Sequence, residues 1–142
     1  DMDIDPFNFA DSLICVLAQR LVKTLCPLCK EPYAPTRREF DELVSEYGTS
    51  FEADTRISYS PELTLYRPKG CPQCVKGYKG RLGVFELMVN NKDIRELIKF
   101  RKTTGILRDT AIDGGMHSLK QDGIHKVFQG VTDLQQVRVL ST

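Results

Sequence analysis

The chain has 142 residues, 41% of them hydrophobic, enough for one domain or two small ones with a buried core. Its 20 basic and 19 acidic residues leave a net charge of +1, which gives no electrostatic case for nucleic acid or an anionic membrane as partner. No apolar run approaches the ~20 residues of a membrane span, the acidic start Asp1-Met2-Asp3-Ile4-Asp5 is unlike a signal peptide, and five cysteines, an odd count, fit a reducing compartment, so the expected location is cytoplasmic.

Asp5-Pro6 predicts a helix start, with Asp as cap and Pro at the first helical position. Phe7, Phe9, Ala10, Leu13 and Ile14 follow at helical spacing. From about Val16 to Leu25 the alternation of Leu17, Gln19, Leu21 and Lys23 favours a strand. Two cysteine pairs then bracket a long insert. Cys26-Pro27-Leu28-Cys29 opens it and Cys71-Pro72-Gln73-Cys74 closes it. Between them, Thr36-Arg37-Arg38-Glu39 is a capping box. It leads a helix with Phe40, Leu43, Val44 and Tyr47 on one face and Gly48 as its stop. Ser50 to Pro61 reads as loop, and Thr64-Leu65-Tyr66 as a short strand.

Arg81 to Val89 is a near-continuous apolar run of strand length, which predicts a strand covered on both faces. Paired with the strand before Cys26, it forms a hairpin whose oversized loop is the insert. Four helices are expected after it. Asn91-Lys92-Asp93 starts the first, with Ile94, Leu97 and Ile98, and Thr104-Gly105 precede the second, which Gly114-Gly115 ends. The third carries Leu119, Ile124, Val127 and Phe128, with His117 and His125 on it, and Gly130 terminates it. Thr132-Asp133-Leu134-Gln135 is read as a capping box for the fourth, with Leu134, Val137 and Leu140.

The two Cys-Pro-x-Cys turns carry the chemistry. Each places two thiolates on one tight turn, and Cys26, Cys29, Cys71 and Cys74 together can surround one tetrahedral zinc ion. Such a site has no open position, so it is structural rather than catalytic. Closing the 41-residue loop from Lys30 to Gly70 costs about 3 kcal/mol. A structural zinc site is worth roughly 10–16 kcal/mol. Pro27 and Pro72 stiffen the turns, and Gly77 lets backbone amides turn toward the sulfurs. The rival reading is a dithiol oxidoreductase, but each pair lacks the following helix of a βαβ redox unit. Cys15, in an apolar run, is expected to be a buried free thiol. Glu86 needs a partner inside its apolar strand, with Arg81 or Arg20 as candidates. Lys76, Lys79 and Arg81 form a small basic cluster read as a solvated face. No G-x-x-x-x-G-K-[S/T], G-x-S-x-G or His-Glu-x-x-His occurs, so nothing in the segment runs a reaction alone.

Asp5-Pro6-Phe7, Leu17-Ala18-Gln19-Arg20-Leu21-Val22 and Cys26-Pro-x-Cys29-Lys30-Glu31-Pro32-Tyr33 resemble the late part of the bacterial secretion ATPases. So do Gly70-Cys71-Pro-x-Cys74, Gly77-Tyr78-Lys79-Gly80-Arg81, Phe85-Glu86-Leu87, Gly115-Met116-x-x-Leu119, Asp122-Gly123 and Gly130-Val131-Thr132. That family drives type II secretion and type IV pilus assembly, and the chain is most similar to its general secretory pathway protein E members. The resemblance implies an α+β fold: the end of a RecA-like α/β domain carrying a zinc-closed insert, followed by a small C-terminal helical bundle. The implied divisions are 1–25 for the end of the ATPase domain, 26–74 for the insert, 75–90 for the returning strand and 91–142 for the helical region. One structural zinc would be held by the four cysteines. ATP and Mg²⁺ would belong only to the intact parent, whose phosphate loop lies upstream, so the segment itself is not expected to be an enzyme. Implied partners are the rest of the parent hexamer and inner-membrane platform proteins, with no nucleic acid and no direct membrane insertion. The implied location is cytoplasmic, peripheral to the inner membrane. The exposed insert helix, with Arg37, Arg38, Asp41, Glu42 and Glu46, would be a docking surface. A free-standing zinc-ribbon interaction module is the alternative.

Overall fold

The structure, a computed structural model, describes residues 4–140, so the Asp1-Met2-Asp3 start lies outside the described residues. Among them, the elements in order are α1 (Pro6–Ser12), β1 (Cys15–Leu25), β2 (Glu31–Tyr33), α2 (Arg37–Tyr47) and α3 (Phe51–Thr55). They continue with β3 (Leu65–Arg67), β4 (Tyr78–Val89), α4 (Lys92–Lys99), α5 (Thr104–Asp113), α6 (Leu119–Phe128) and α7 (Leu134–Arg138). Helix and strand are thus mixed, with two small sheets, β1 with β4 and β2 with β3. The chain forms two compact units. One is Asp1–Gln19 with Phe85–Ser118, the other Arg20–Val84 with Leu119–Thr142.

In the first unit, Asp5 caps α1 by accepting the amides of Phe7 and Asn8, and Pro6 takes the first helical position. Asn91 caps α4 through the Ile94 amide. Helix α4 packs on α1 and α5. The core is Ile94, Ala111 and Met116, with Met88, Ile98, Leu107 and Ile112 against it. Asn90 ties the chain after β4 to the turn after α1: its Nδ2 donates to the carbonyls of Ala10 and Leu13, each at 2.7 Å.

In the second unit, the α2 capping box is formed on both sides. The Glu39 amide donates to Thr36 Oγ1, and the Thr36 amide donates to Glu39 Oε2 at 2.7 Å. Gly48 ends the helix at φ +107°, a conformation that suits a residue without Cβ. Strands β2 and β3 pair antiparallel, Glu31 opposite Arg67 and Tyr33 opposite Leu65. The core combines Phe40, Leu43, Tyr47, Phe51 and Leu65 of the insert with Ile124, Val127 and Val137 of α6 and α7. Rings of Phe40, Tyr47, Phe51 and Phe128 meet edge-on or tilted, with centroids 5.4 to 6.5 Å apart. The insert therefore borrows the last two helices to close its core.

Several expectations change. Part of the supposed loop from Ser50 to Pro61 is helix α3. It is a single turn, too short for a period to show, and is pinned by Phe51, whose ring is buried. Strand β4 is not covered on both faces: its odd-numbered Phe85, Leu87 and Val89 are 43%, 48% and 58% exposed. Strand β1 behaves alike, with Leu17 and Leu21 open and Val22 buried. Cys15 is exposed, because it begins β1 at an open position rather than in a packed run. Asp133, not Thr132, caps α7 through the Gln136 amide, while buried Thr132 donates its hydroxyl to the Lys23 carbonyl. Helix α6 begins at Leu119, so His117 precedes it. Glu86 faces Arg108, with 3.8 Å between Oε2 and Nη2.

Glu46 at the end of α2 joins the insert to the last helices. Its carboxylate lies 2.7 Å from Arg138 Nη2 and 3.1 Å from Lys120 Nζ. Burial opposes its ionisation, but the hydrogen bonds from Arg138 and Lys120 win and hold it below the ordinary 4.5. A depressed carboxyl contributes stability that is present above the unfolded value and lost as the pH falls through the folded one. Glu46→Gln is expected to cost about 1–2 kcal/mol at pH 7, with the gap to wild type closing below about pH 4.5. Parallel urea denaturations of the two proteins across that range measure it.

Candidate metal centre

Two turns present four sulfurs. The first lies where β1 ends and β2 has not begun, and the second lies between β3 and β4. In the first, the amides of Cys29 and Lys30 donate back to the Cys26 carbonyl, at 3.3 and 3.0 Å, so the chain doubles round on the sulfurs. In the second, the Cys74 amide donates to the Cys71 carbonyl at 3.2 Å. The pairing of β2 with β3 brings the exit of the first turn and the approach to the second side by side. The Cys26 amide donates to the Gly77 carbonyl at 2.8 Å, and Thr24 Oγ1 donates to the Lys79 carbonyl. Later residues of β1 thus meet earlier residues of β4, and these strands run antiparallel there.

The four predicted ligands converge. The sulfurs of Cys26, Cys29, Cys71 and Cys74 all lie within 4.8 Å of one another. Cys71 and Cys74 stand 3.6 Å apart, Cys29 and Cys74 3.7 Å, and Cys26 and Cys71 4.0 Å. A tetrahedron of sulfurs about 2.3 Å from a central zinc has edges of about 3.8 Å. The donor set is all sulfur, with no carboxylate or imidazole among the clustered groups. Cys26 is fully buried and the other three are half-buried. This cluster can hold a soft divalent metal such as zinc.

Backbone amides serve the sulfurs as well. Cys74 Sγ accepts from the amides of Cys71, at 3.2 Å, and Gly77. Cys29 Sγ accepts from the amide of Gly70, on the other turn. The Gly77 amide was legible from its spacing, and the Gly70 one was not. These bonds and the crowding split the thiols. For Cys29, burial outweighs the Gly70 amide, and with neighbouring thiols it pushes the group up to about 12. For Cys74, burial opposes the charge, but the Cys71 amide, the Cys71 thiol and the Gly77 amide together bring it down to about 7. For Cys71, the Gln73 amide pulls down while burial and the thiols of Cys74 and Cys26 leave the group raised. Four neighbouring sulfurs cannot all carry charge without a cation among them.

The remaining candidates do not join the cluster. His125 Nε2 lies 3.0 Å from the Tyr47 hydroxyl, which donates to Asp54 at 2.9 Å. This polar chain inside the insert core was not read from the sequence, because its members are far apart along it. Lys76, Lys79 and Arg81 are exposed, as a solvated face requires. Among the described residues no helix is long and apolar enough to cross a membrane.

Known proteins match the chain across nearly its whole length. The family model described as type II/IV secretion system protein covers residues 1–139. The type II secretion system ATPase E of Vibrio cholerae serotype O1 is 41% identical over 138 residues, 96% of this chain and 25% of that protein. The type II secretion system protein E of Pectobacterium carotovorum is 37% identical over 139 residues, with the same two shares. The type IV pilus assembly ATPase PilB of Thermus thermophilus is 36% identical over 138 residues, 96% of this chain and 14% of that protein. The chain thus spans a quarter or less of the length of these relatives. With the sulfur cluster seated in a segment that aligns with both the secretion and the pilus branch, the chain belongs to the type II/IV secretion system protein family.

Proposed function

We propose that this chain is the C-terminal, non-catalytic portion of a hexameric ATPase that powers type II secretion or type IV pilus assembly, and that Cys26, Cys29, Cys71 and Cys74 hold one structural zinc. The convergence of four sulfurs within 4.8 Å carries the reading of the site. Zinc supplies a redox-inert cation that neutralises the thiolates. The chain's own part is to present the four sulfurs, aim the Cys71, Gly77 and Gly70 amides at them, and bury Cys26. ATP and Mg²⁺ would be bound by the rest of the parent, since the 142 residues contain no phosphate loop.

The open side of β1 and β4 supports the placement at the end of a RecA-like domain. Leu17, Leu21, Phe85, Leu87 and Val89 are apolar and exposed. A two-stranded sheet with one bare apolar face is marginal in water and is completed by further structure against it. In the parent, that structure would be the remainder of the ATPase domain. Segments 1–25 and 75–90 would then belong to that domain, 26–74 would be the insert, and 91–142 the helical end. The parent would work at the cytoplasmic side of the inner membrane, with the platform proteins there as partners.

Helix α2 is the proposed docking face. Arg37 and Arg38 are largely exposed and pair with Asp41 and Glu42 one turn on, at 2.9 and 3.1 Å. Glu46 is committed to Lys120 and Arg138, and Glu42 also stands 3.8 Å from Arg138 Nη2, so Arg37, Arg38 and Asp41 form the accessible set. The joint swap Arg37→Asp and Asp41→Arg keeps that intrahelical pair while inverting its sense, and leaves Glu42 facing Arg138. Secretion or pilus assembly by the intact ATPase is expected to fall at least tenfold with ATPase rate retained. Undiminished assembly rejects the docking role.

The metal is tested by native mass spectrometry and by circular dichroism before and after chelation. One zinc per chain and loss of structure on chelation are expected; a metal-free chain two or four daltons below the reduced mass would mean disulfides and a redox protein instead. Because metal must displace thiol protons, binding should release protons, and affinity should rise with pH. Calorimetry in two buffers of different ionisation heat reads both.

A further inference from the structure

Val75-Lys76-Gly77-Tyr78 closes the second cysteine turn and starts β4. Val75 and Tyr78 exchange both backbone hydrogen bonds at 3.0 Å. The two residues between them both have positive φ, 52° at Lys76 and 87° at Gly77. That is the geometry of a two-residue type I′ turn. Gly77 has three further ties. Its amide donates to Cys74 Sγ. Its carbonyl accepts the amide of Cys26, the first ligand on the other turn, at 2.8 Å. Its bare Cα lies under the chain leaving β3: a Cβ there would stand 2.4 Å from Pro68 Cβ, 2.9 Å from Pro68 Cα and 3.0 Å from the Lys69 amide nitrogen. Two of those three atoms are backbone and the other is on a proline ring, so no rotamer change makes room.

We propose that Gly77 is a positioning residue that sets the metal affinity of the cluster by locking both cysteine turns and the end of β3 at one point. This rests on the four-thiolate metal site proposed above. A methyl group at residue 77 pushes Pro68 and Lys69 away, and Gly70 and Cys71 follow directly in the chain. The Gly70 amide on Cys29 and the spacing of Cys71 to Cys26 move with them. Neighbouring glycines separate strain from collision. Gly70 has φ +106° with its nearest hypothetical contact at 3.8 Å, and Gly48 has φ +107° with nothing within 4 Å. Alanine at either position meets the left-handed conformation alone.

The test compares the whole chain, loaded with zinc, as wild type, Gly77→Ala, Gly70→Ala, Gly48→Ala and Lys76→Asn. Zinc affinity is read by competition with a chromophoric chelator, and the tetrahedral thiolate environment by the cobalt(II) absorption spectrum. Gly77→Ala is expected to lose about 10–100-fold in affinity and to distort the cobalt spectrum, the scale of outer-shell changes at metal sites. Gly70→Ala should lose less, and Gly48→Ala should match wild type. Lys76→Asn places the residue favoured ahead of glycine in such a turn and should bind severalfold more tightly. Equal affinities for Gly77→Ala and Gly70→Ala overturn the inference. If Gly77→Ala does not accumulate as folded protein, Lys76→Asn decides: tighter binding supports the turn as the control point, and unchanged binding overturns it. A wild-type chain that takes up no metal defeats the metal site itself, an outcome distinct from these.

Discussion

The meeting of four sulfurs within 4.8 Å is the junction around which the second unit is arranged. Deprotonated as a bound metal would require, sulfurs 3.6 to 4.0 Å apart would repel one another, and burial of Cys26 removes the water that would screen them. The proposed cation would turn that repulsion into attraction, and amides of Cys71, Gly77 and Gly70 favour the charged sulfurs in the same sense. The insert hangs on this junction. Its first strand leaves from one turn, its last strand returns to the other, and α2 and α3 are carried between them. A 41-residue excursion with only two three-residue strands to fix its ends would otherwise hold its register weakly.

The second arrangement of note is how the insert obtains a core. Phe40, Leu43, Tyr47 and Phe51 supply large side chains on one side only, and Ile124, Val127 and Val137 close over them. Polar groups follow the same seam. Gln121 Nε2 donates to the Tyr47 carbonyl at 3.1 Å, and the Glu46 carboxylate holds Lys120 and Arg138. Gly123 has the Val137 methyls 3.0 and 3.1 Å from where a Cβ would sit, so α6 and α7 approach each other where no side chain intervenes. The cysteine junction and this seam are independent restraints on the same insert.

What the sequence made legible follows from how local each signal is. The α2 capping box, the Asp5-Pro6 start and the Asn91 cap are readable because cap and helix lie within four residues. The four clustered cysteines are readable because each pair is a local turn. Strand β2 was invisible, since three residues including Pro32 show no alternation and acquire strand geometry only from Leu65 to Arg67 across the sheet. Helix α3 escaped because one turn has no period. The exposure of Cys15, Phe85 and Val89 was misread because apolar character predicts burial in the complete structure, whatever part of it supplies the covering surface. Thr132 and Asp133 both have capping chemistry, and only the tertiary bond from Thr132 to Lys23 decides between them.

The division of the insert core between residues 40–65 and residues 124–137 has a bearing on biosynthesis. Side chains separated by about sixty to a hundred positions must meet before either set is sequestered, which raises the contact order of this unit above that of a local helical bundle. On a ribosome adding residues at about 5–20 per second, α2 emerges seconds before the helices that cover it. Its aromatic face is without its permanent lid for that interval. The cysteine turns, by contrast, are both synthesised by residue 74. Capture of the proposed metal would therefore precede completion of the core, tethering an immature insert until α6 and α7 arrive.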